Sequence, residues 1–518
     1  MASMLPVLRQ VAPKLTKKLF DCSECRSSTL QKNVLNLRQR PIQKHILKLP
    51  GSSRHSIRWV SHTAGTSPKE NFKQILPDLP VARSASRPET GVKARFFPRT
   101  SEKLVGYWLL GSAASVFGIV VFGGLTRLTE SGLSITEWRP VTGSLPPTSA
   151  EAWDSEFSLY RASPEFQRLN PHMTLSEFKS IYYMEWTHRL WGRIVGISFI
   201  VPAVYFIARR KVSASMALRI VGIGGLIGFQ GFLGWWMVKS GLKDDLFAPG
   251  SHPRVSQYRL VAHLGTAFLC YSAMLWNGLS ILRTNKFLQN LESAENNLAR
   301  LRNPRLKVFR SLVGALTVLV FTTAMSGGLV AGLDAGLIYN EFPYMGVGLT
   351  PPKSELFSNF YSHRDDKSDT WWRNPLENPS LVQLDHRILA TTTFTSVMAL
   401  WAYSRFSPNI RRLLPAPVRK GVHGVVGFAW LQVILGISTL IYLVPLPLAS
   451  AHQAGALALL SYVLVLGNRT GLPNRRVSKL LAEKFTAARM TPKKKIVMNP
   501  AIHTRINTLK ATPELQAR

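Results

Sequence analysis

The sequence predicts an all-α membrane protein, with eight transmembrane helices as two repeated four-helix bundles related by a pseudo-two-fold axis along the membrane normal. Three observations carry that expectation. Hydrophobic residues make up 46% of the 518, and they fall in blocks that each approach the about 20 residues needed to cross a bilayer core. The loops between blocks alternate between basic and slightly acidic. The motifs of the first half return in the second half in the same order.

The apolar blocks lie near 104–126, 190–209, 217–238, 259–282, 311–333, 387–404, 421–444 and 450–467. Segments 209–219, 283–310 and 405–420 are basic, through Arg209, Arg210 and Lys211, then Arg300, Arg302, Arg305, Lys307 and Arg310, then Arg411, Arg412, Arg419 and Lys420. The tail after 467 is basic as well, whereas the loops near 127–187 and 334–384 are longer and slightly acidic. Positive-inside bias places the basic loops and both ends of the chain on one side.

Residues 1–95 are rich in Arg, Lys, Ser and Gln and poor in acids. Leu5, Leu8, Ala12, Leu15 and Leu19 would share one side of a basic helix, weakened by Pro6 and Pro13. That pattern suits a mitochondrial import leader, with a disordered basic tail as the alternative, and no secretory apolar core is present. The expected location is the mitochondrial inner membrane with N- and C-termini in the matrix. The expected organisation is a leader and matrix segment at 1–95, a first bundle at 100–285, a basic matrix linker at 286–310, a second bundle at 311–470 and a basic matrix tail at 471–518.

The net charge of +36, from 64 basic and 28 acidic residues, follows this topology. No basic stripe interleaved with aromatics is present, so a nucleic-acid partner is not expected. Three cysteines make no disulfide framework. Cys22 and Cys25 form a CxxC within the leader that is taken as chance, and Cys270 reads as a packing residue in a membrane helix.

The repeat is visible residue by residue. Gly123-Gly124-Leu125-Thr126 and Glu130-Ser131-Gly132-Leu133 return as Gly327-Gly328-Leu329-Val330 and Asp334-Ala335-Gly336-Leu337. Gln230 with Gly234 returns as Gln432 with Gly436, His188-Arg189 as His386-Arg387, and His263 as His452. Four helices per half is an even number, so both halves enter the membrane from the same face. The four histidines then start helices two, four, six and eight at the outer surface. His423 lies on the matrix side without a first-half counterpart and is left aside as an interfacial residue.

Imidazole is costly inside lipid unless it binds or pairs with something. A single one could be a satisfied polar group or a proton relay; two repeated pairs at one depth point to metal or haem. Zinc or copper usually takes three or four protein ligands, with carboxylate or thiolate among them. Two histidines per half, without cysteine at that depth, suit a porphyrin that brings four nitrogens of its own. Gly123, Gly124, Gly192, Gly196, Gly265, Gly327, Gly328 and Gly455 would leave room for the plate, or would serve ordinary small-residue helix packing.

The halves differ at Glu185, three residues before His188, where the second half has Gln383. A carboxylate beside an iron ligand can act as acid or base; its other reading is an N-terminal acid meeting the helix dipole. Arg189, Arg193 and Arg387 could pair with haem propionates or anchor at the interface. Trp191, Trp235 and Trp236 read as interface-belt aromatics.

Glu185-Trp186-Thr187-His188-Arg189, the run Gly123 to Thr129, His263, His386-Arg387 and His452 resemble the haem A synthases, over roughly residues 100–470. The resemblance is to the mitochondrial members. It implies oxidation of the C8 methyl group of haem O to a formyl group, giving haem A for cytochrome c oxidase, through two hydroxylations and dehydration of a geminal diol. It implies His188 and His263 as ligands of the substrate haem O, Glu185 as the catalytic glutamate, and His386 and His452 as ligands of a bound haem b. It further implies electrons from mitochondrial ferredoxin and ferredoxin reductase, and an upstream haem O synthase, a farnesyltransferase. Inner-membrane lipid surrounds the protein, and homo-oligomer formation stays open.

Many bacterial members carry a cysteine pair in an outer loop; loops 127–187 and 334–384 have none, so a thiol step is not expected. If His188 and His263 bound iron together the coordination shell would be full, so one ligand is expected to be labile or the two to bind in sequence. The rival readings are a non-catalytic dihaem b electron-transfer protein and a repeat-built transporter with a histidine proton relay.

Overall fold

The structure, a computed structural model, describes residues 96–248 and 251–490. The expectations for 1–95, including the import leader and the Cys22–Cys25 motif, and for 491–518 lie outside the described residues. Among the described residues the chain is helical, and the pairing of Met345 with Gly348 is an isolated bridge rather than a strand.

Long helices coincide with the predicted blocks: α1 (Lys103–Leu128), α2 (Leu175–Ala208), α3 (Ala214–Val238), α4 (Gln257–Gln289), α5 (Leu306–Gly332), α6 (Pro379–Phe406), α7 (Ala416–Ile441) and α8 (Leu446–Thr470). Seven of them are long and apolar enough to cross a membrane; α6 is long enough but not apolar enough. Its first turns carry Gln383, Asp385, His386 and Arg387, and Thr391, Thr392 and Thr393 follow.

Helix α2 begins at Leu175, not near 190. Thr174 and Glu177 close a capping box there: the Glu177 amide donates to Thr174 Oγ1 at 3.3 Å and the Thr174 amide to Glu177 Oε2 at 2.8 Å. Such a reciprocal pair satisfies two otherwise unpaired amides and sets the start. Glu185 and His188 therefore lie in the helix interior, beyond the first turn where a macrodipole acts, and Glu185 is not an N-terminal acid. The other histidines likewise lie inside their helices rather than at the first residue. Helix α6 starts on Asn378, whose Oδ1 accepts the Ser380 amide at 3.0 Å, with Pro379 in the first turn.

Helices α1 to α4 pack as a set, with α1 against α2 and α4, and α3 against α2 and α4; α5 to α8 pack in the same pattern. The sets meet through α1 with α8, α4 with α5, and α4 with α8. One continuous apolar core runs through both, including Leu109, Phe199, Met274, Phe309, Val397 and Leu460. Tyr271 Oη meets Ser461 Oγ at 2.5 Å, Asn468 donates to Ser280 Oγ at 2.8 Å, and Gln453 Nε2 donates to the Val120 carbonyl at 3.0 Å. Near the ends of α1 and α5, Asp334 joins Arg127 at 2.7 Å and Arg254 at 3.3 Å. The chain leaves α1 through Glu130 at φ 52° and α5 through Asp334 at φ 53°, the same left-handed turn at equivalent positions of the repeat.

The first outer loop is a small folded unit. Ser149 and Ser163 cap helices Ala150–Arg161 and Pro164–Leu169. Trp153, Phe157 and Tyr160 pack on Phe178 and Tyr182 of α2. The stretch expected as a basic linker is largely helical: α4 continues to Gln289, and Leu291–Leu301 follows, packed against the helix Arg475–Met490.

Two glycines of α5 test this packing. A Cβ on Gly332 would stand 2.7 Å from the Gln257 Cβ and 3.0 Å from its Cα, whereas one on Gly314 would meet nothing. Gly332→Ala should lower stability in detergent by about 1–3 kcal/mol, and Gly314→Ala should leave it unchanged or raise it slightly; thermal unfolding of the two purified variants measures the difference.

Candidate functional site

Each of the four histidine rings is seated against a glycine of the preceding helix. A Cβ on Gly123 of α1 would come 2.7 Å from His188 Cε1, and one on Gly234 of α3 would come 3.5 Å from His263 Cε1. In the second set, Gly327 of α5 stands 3.1 Å from His386 Cε1 and Gly436 of α7 stands 3.0 Å from His452 Cε1 by the same measure. The rings are half-buried. His188 and His263 lie within electrostatic reach of each other, and so do His386 and His452. Each pair comes from two helices of one packed set. Gly234 and Gly436 were legible only as an echo of the repeat, not as ring seats.

The Nδ1 edges differ between the sets. His386 Nδ1 meets Ser326 Oγ at 2.8 Å, and that hydroxyl donates to the Thr323 carbonyl at 2.8 Å. With its amide turned to satisfy its neighbours, Gln432 donates to His452 Nδ1 at 3.2 Å and to the His452 carbonyl at 3.1 Å. In the first set the Nδ1 atoms of His188 and His263 are buried without a hydrogen-bond partner. Phe122 lies parallel to the His188 ring, 6.5 Å between centroids and 11° between planes. Gln230 donates only to the His263 carbonyl, at 3.3 Å.

Glu185 is 3% exposed, and both its oxygens are engaged. Oε1 takes Arg189 at 2.6 Å; Oε2 accepts from Ser134 Oγ at 2.7 Å and from the Ile135 amide at 2.8 Å. Arg189 also donates to the carbonyls of Ile135 at 2.7 Å and Glu137 at 3.0 Å. The second half repeats the arrangement in neutral form. Gln383 donates to the Ala335 carbonyl at 2.8 Å, and Arg387 donates to the carbonyls of Tyr339 at 3.0 Å and Glu341 at 2.9 Å. In each half a residue pair on the histidine-bearing helix therefore latches the outer loop.

Several expectations change accordingly. Arg189, Arg193 and Arg387 spend donors on loop carbonyls, Arg193 on those of Arg139 and Pro140. They fasten the loops through these donors. Gly124, Gly265, Gly328 and Gly455 are filled by Gln453, Met325, Val261 with Leu264, and Gln432, so these four serve helix packing. Gly192 and Gly196 have only Ile119 and Ile227 nearby, at 3.8 and 4.0 Å from an added Cβ. Trp191 is no belt residue: it donates to Ser115 Oγ at 3.0 Å and fills the space over Gly118. Trp235 packs on Trp138, and the Arg259 guanidinium lies 4.4 Å over Trp236. Cys270 is buried in the core, as expected of a packing residue.

Among the described residues no group of three or more His, Cys, Asp or Glu side chains could hold a metal ion by itself. Two imidazoles per half, with the Nδ1 of His386 bonded to Ser326, are instead a donor set that would suit a metal carrying its own equatorial nitrogens. The fold and the site define a helical protein with seven helices long and apolar enough to cross a membrane and two pairs of half-buried histidines among its long helices. The sequence profile of the COX15-CtaA family, described as "Cytochrome oxidase assembly protein", matches residues 106–464, and the chain belongs to that family. It is 50% identical to "Heme A synthase COX15" of Saccharomyces cerevisiae over 78% of this chain and 83% of that protein. It is 45% identical to the Homo sapiens protein of the same name, over 74% of this chain and 85% of the relative. A "Heme A synthase-mitochondrial ferredoxin fusion protein" of Schizosaccharomyces pombe is 50% identical over 71% of this chain and 60% of its own length.

One further carboxyl lies under the outer loop. Glu165 is 4% exposed and accepts from Tyr160 Oη at 2.9 Å. Burial pushes its pKa up from 4.5 to about 8, with the charge of Glu185 adding to the rise. The folded chain therefore keeps a proton that the unfolded chain releases near 4.5. The stabilisation is complete below 4.5 and is lost as pH rises toward 8, at up to about 1.4 kcal/mol per pH unit. Melting of the wild-type protein should weaken between pH 5 and 8, and Glu165→Gln should flatten that slope and melt higher at pH 8; parallel slopes for the two proteins would reject the buried proton.

Proposed function

We propose that the chain is a haem A synthase, an oxidoreductase that converts the C8 methyl group of haem O to a formyl group. The observation that carries this reading is its identity to relatives so named from yeast, human and bacteria, 42% in the Nitrosospira multiformis protein. The architecture that suits it is eight membrane-crossing helices in two repeated four-helix bundles about a pseudo-two-fold axis along the membrane normal. These are 100–285 for the substrate and 311–470 for the haem b. The common packing pattern, the shared left-handed turns and the four glycine-seated rings support that division. The seat is the mitochondrial inner membrane with both termini in the matrix, in keeping with the basic loops.

His188 and His263 hold the iron of haem O and so fix the plate in the first bundle. His386 and His452 hold haem b, which when bound supplies a one-electron relay. Glu185 acts as the proton-handling group, held in place by Arg189 at Oε1 and by Ser134 and the Ile135 amide at Oε2. Arg189 and the loop from Ser134 to Glu137 cover the site and keep bulk water from it. The fused ferredoxin of the Schizosaccharomyces pombe relative supports a ferredoxin as electron donor, with its reductase behind it and a farnesyltransferase supplying haem O. The dihaem b carrier reading finds no support among the relatives.

Gln383 makes the second-half latch without a charge, so Glu185→Gln should fold, keep haem and accumulate haem O or a hydroxylated intermediate. Glu185→Ala should also loosen the outer loop. Extracted pigments separated by chromatography, with limited proteolysis of the loop, read both; undiminished haem A in the glutamine variant would reject the proton role. His386→Ala should lose haem b while the protein still assembles, and an unchanged haem b content in the pyridine haemochrome spectrum would reject that ligand.

A further inference from the structure

We infer that Ser326 is a positioning residue that sets the His386 ring for lasting ligation, and that Phe122, in its place in the first half, leaves the His188 ring free to turn and exchange its haem. The inference rests on the assignment of these histidines as haem ligands and adds a division of labour between the two sites.

The geometry is local and complete. Ser326 directly precedes Gly327, the ring seat of His386; Phe122 directly precedes Gly123, the ring seat of His188. A serine hydroxyl has one proton, and here it goes to the Thr323 carbonyl at 2.8 Å. Its oxygen, 2.8 Å from His386 Nδ1, is then an acceptor. The ring must carry its proton on Nδ1, which leaves the Nε2 lone pair pointing away from Ser326, ready for a metal. An acceptor behind a ligating imidazole fixes its tautomer and orientation and raises its basicity.

The His188 ring has the opposite environment. Its Nδ1 is buried with no partner, and Phe122 offers no polar atom, only a ring parallel to the imidazole at 6.5 Å between centroids. Neither tautomer is selected, and no hydrogen bond resists rotation of the ring. A substrate site must release product every turnover, whereas a relay haem must stay. A loosely held His188 and an anchored His386 match those needs.

The test uses the full-length protein in detergent, loaded with haem b and haem O, and follows haem transfer to excess apomyoglobin. Ser326→Ala should lose haem b roughly tenfold faster, the lower end of the effect typical of a ligand's hydrogen-bond partner, and its midpoint potential should rise because the imidazole becomes a weaker donor. Ser326→Thr keeps the hydroxyl and should behave as wild type. Phe122→Ser should slow the loss of haem O. His386→Ala is the control for the underlying assignment. If it removes haem b while Ser326→Ala changes neither release nor potential, the ligand stands and the positioning role falls. If His386→Ala retains haem b, the ligand assignment itself falls. Equal haem loss in the alanine and threonine variants would assign Ser326 to packing, and unchanged haem O release in Phe122→Ser would overturn the exchange role of Phe122.

Discussion

An imidazole ring between packed helices needs space that ordinary side chains deny. Helix axes in contact lie about 8–10 Å apart, and the interior is filled to crystal-like density. Here the space comes from a missing side chain: a glycine on the preceding helix faces the Cε1 of each of the four rings. Each seat holds its ring within electrostatic reach of the other histidine of its set. The outer loops, the latch arginines and the contacts between the helix sets are all arranged around that seating.

The latch shows how one structural task can carry two chemistries. Glu185 with Arg189 and Gln383 with Arg387 hold equivalent outer loops at equivalent carbonyls, Ile135 with Glu137 and Tyr339 with Glu341. A buried carboxylate is tolerated only with a counter-charge and hydrogen bonds, and Glu185 has Arg189, Ser134 and the Ile135 amide. The amide of Gln383 needs fewer partners. The two halves thus share one latch, and an ionisable group stands at this position in only one of them.

Much of this was legible in the chain because helix and repeat signals are local. Eight apolar blocks became eight long helices, and the repeated His-Arg pairs landed in equivalent places. What hid was non-local. The start of α2 at Leu175 depends on a polar capping box, which lies upstream of the apolar run that hydropathy detects. The shortfall of α6 in apolarity follows from its polar entry together with the Thr, Ser and Tyr residues further along it. The engagement of Arg189, Arg193 and Arg387 by backbone carbonyls cannot be read from residue type, because an arginine fork suits a carbonyl as well as a propionate. Ser326 carried no signal of its own; only its place before Gly327, set against Phe122 before Gly123, marks it once the fold aligns the two.

The central claim is that each helix set clamps a porphyrin between two imidazoles. Low-temperature electron paramagnetic resonance of the purified ferric protein tests it most directly. Axial ligation by His386 and His452, and by His188 and His263 when haem O is bound, predicts low-spin signals of the bis-imidazole type. A purely high-spin axial spectrum from the haem-loaded protein would mean that the paired rings do not share an iron, and would contradict it.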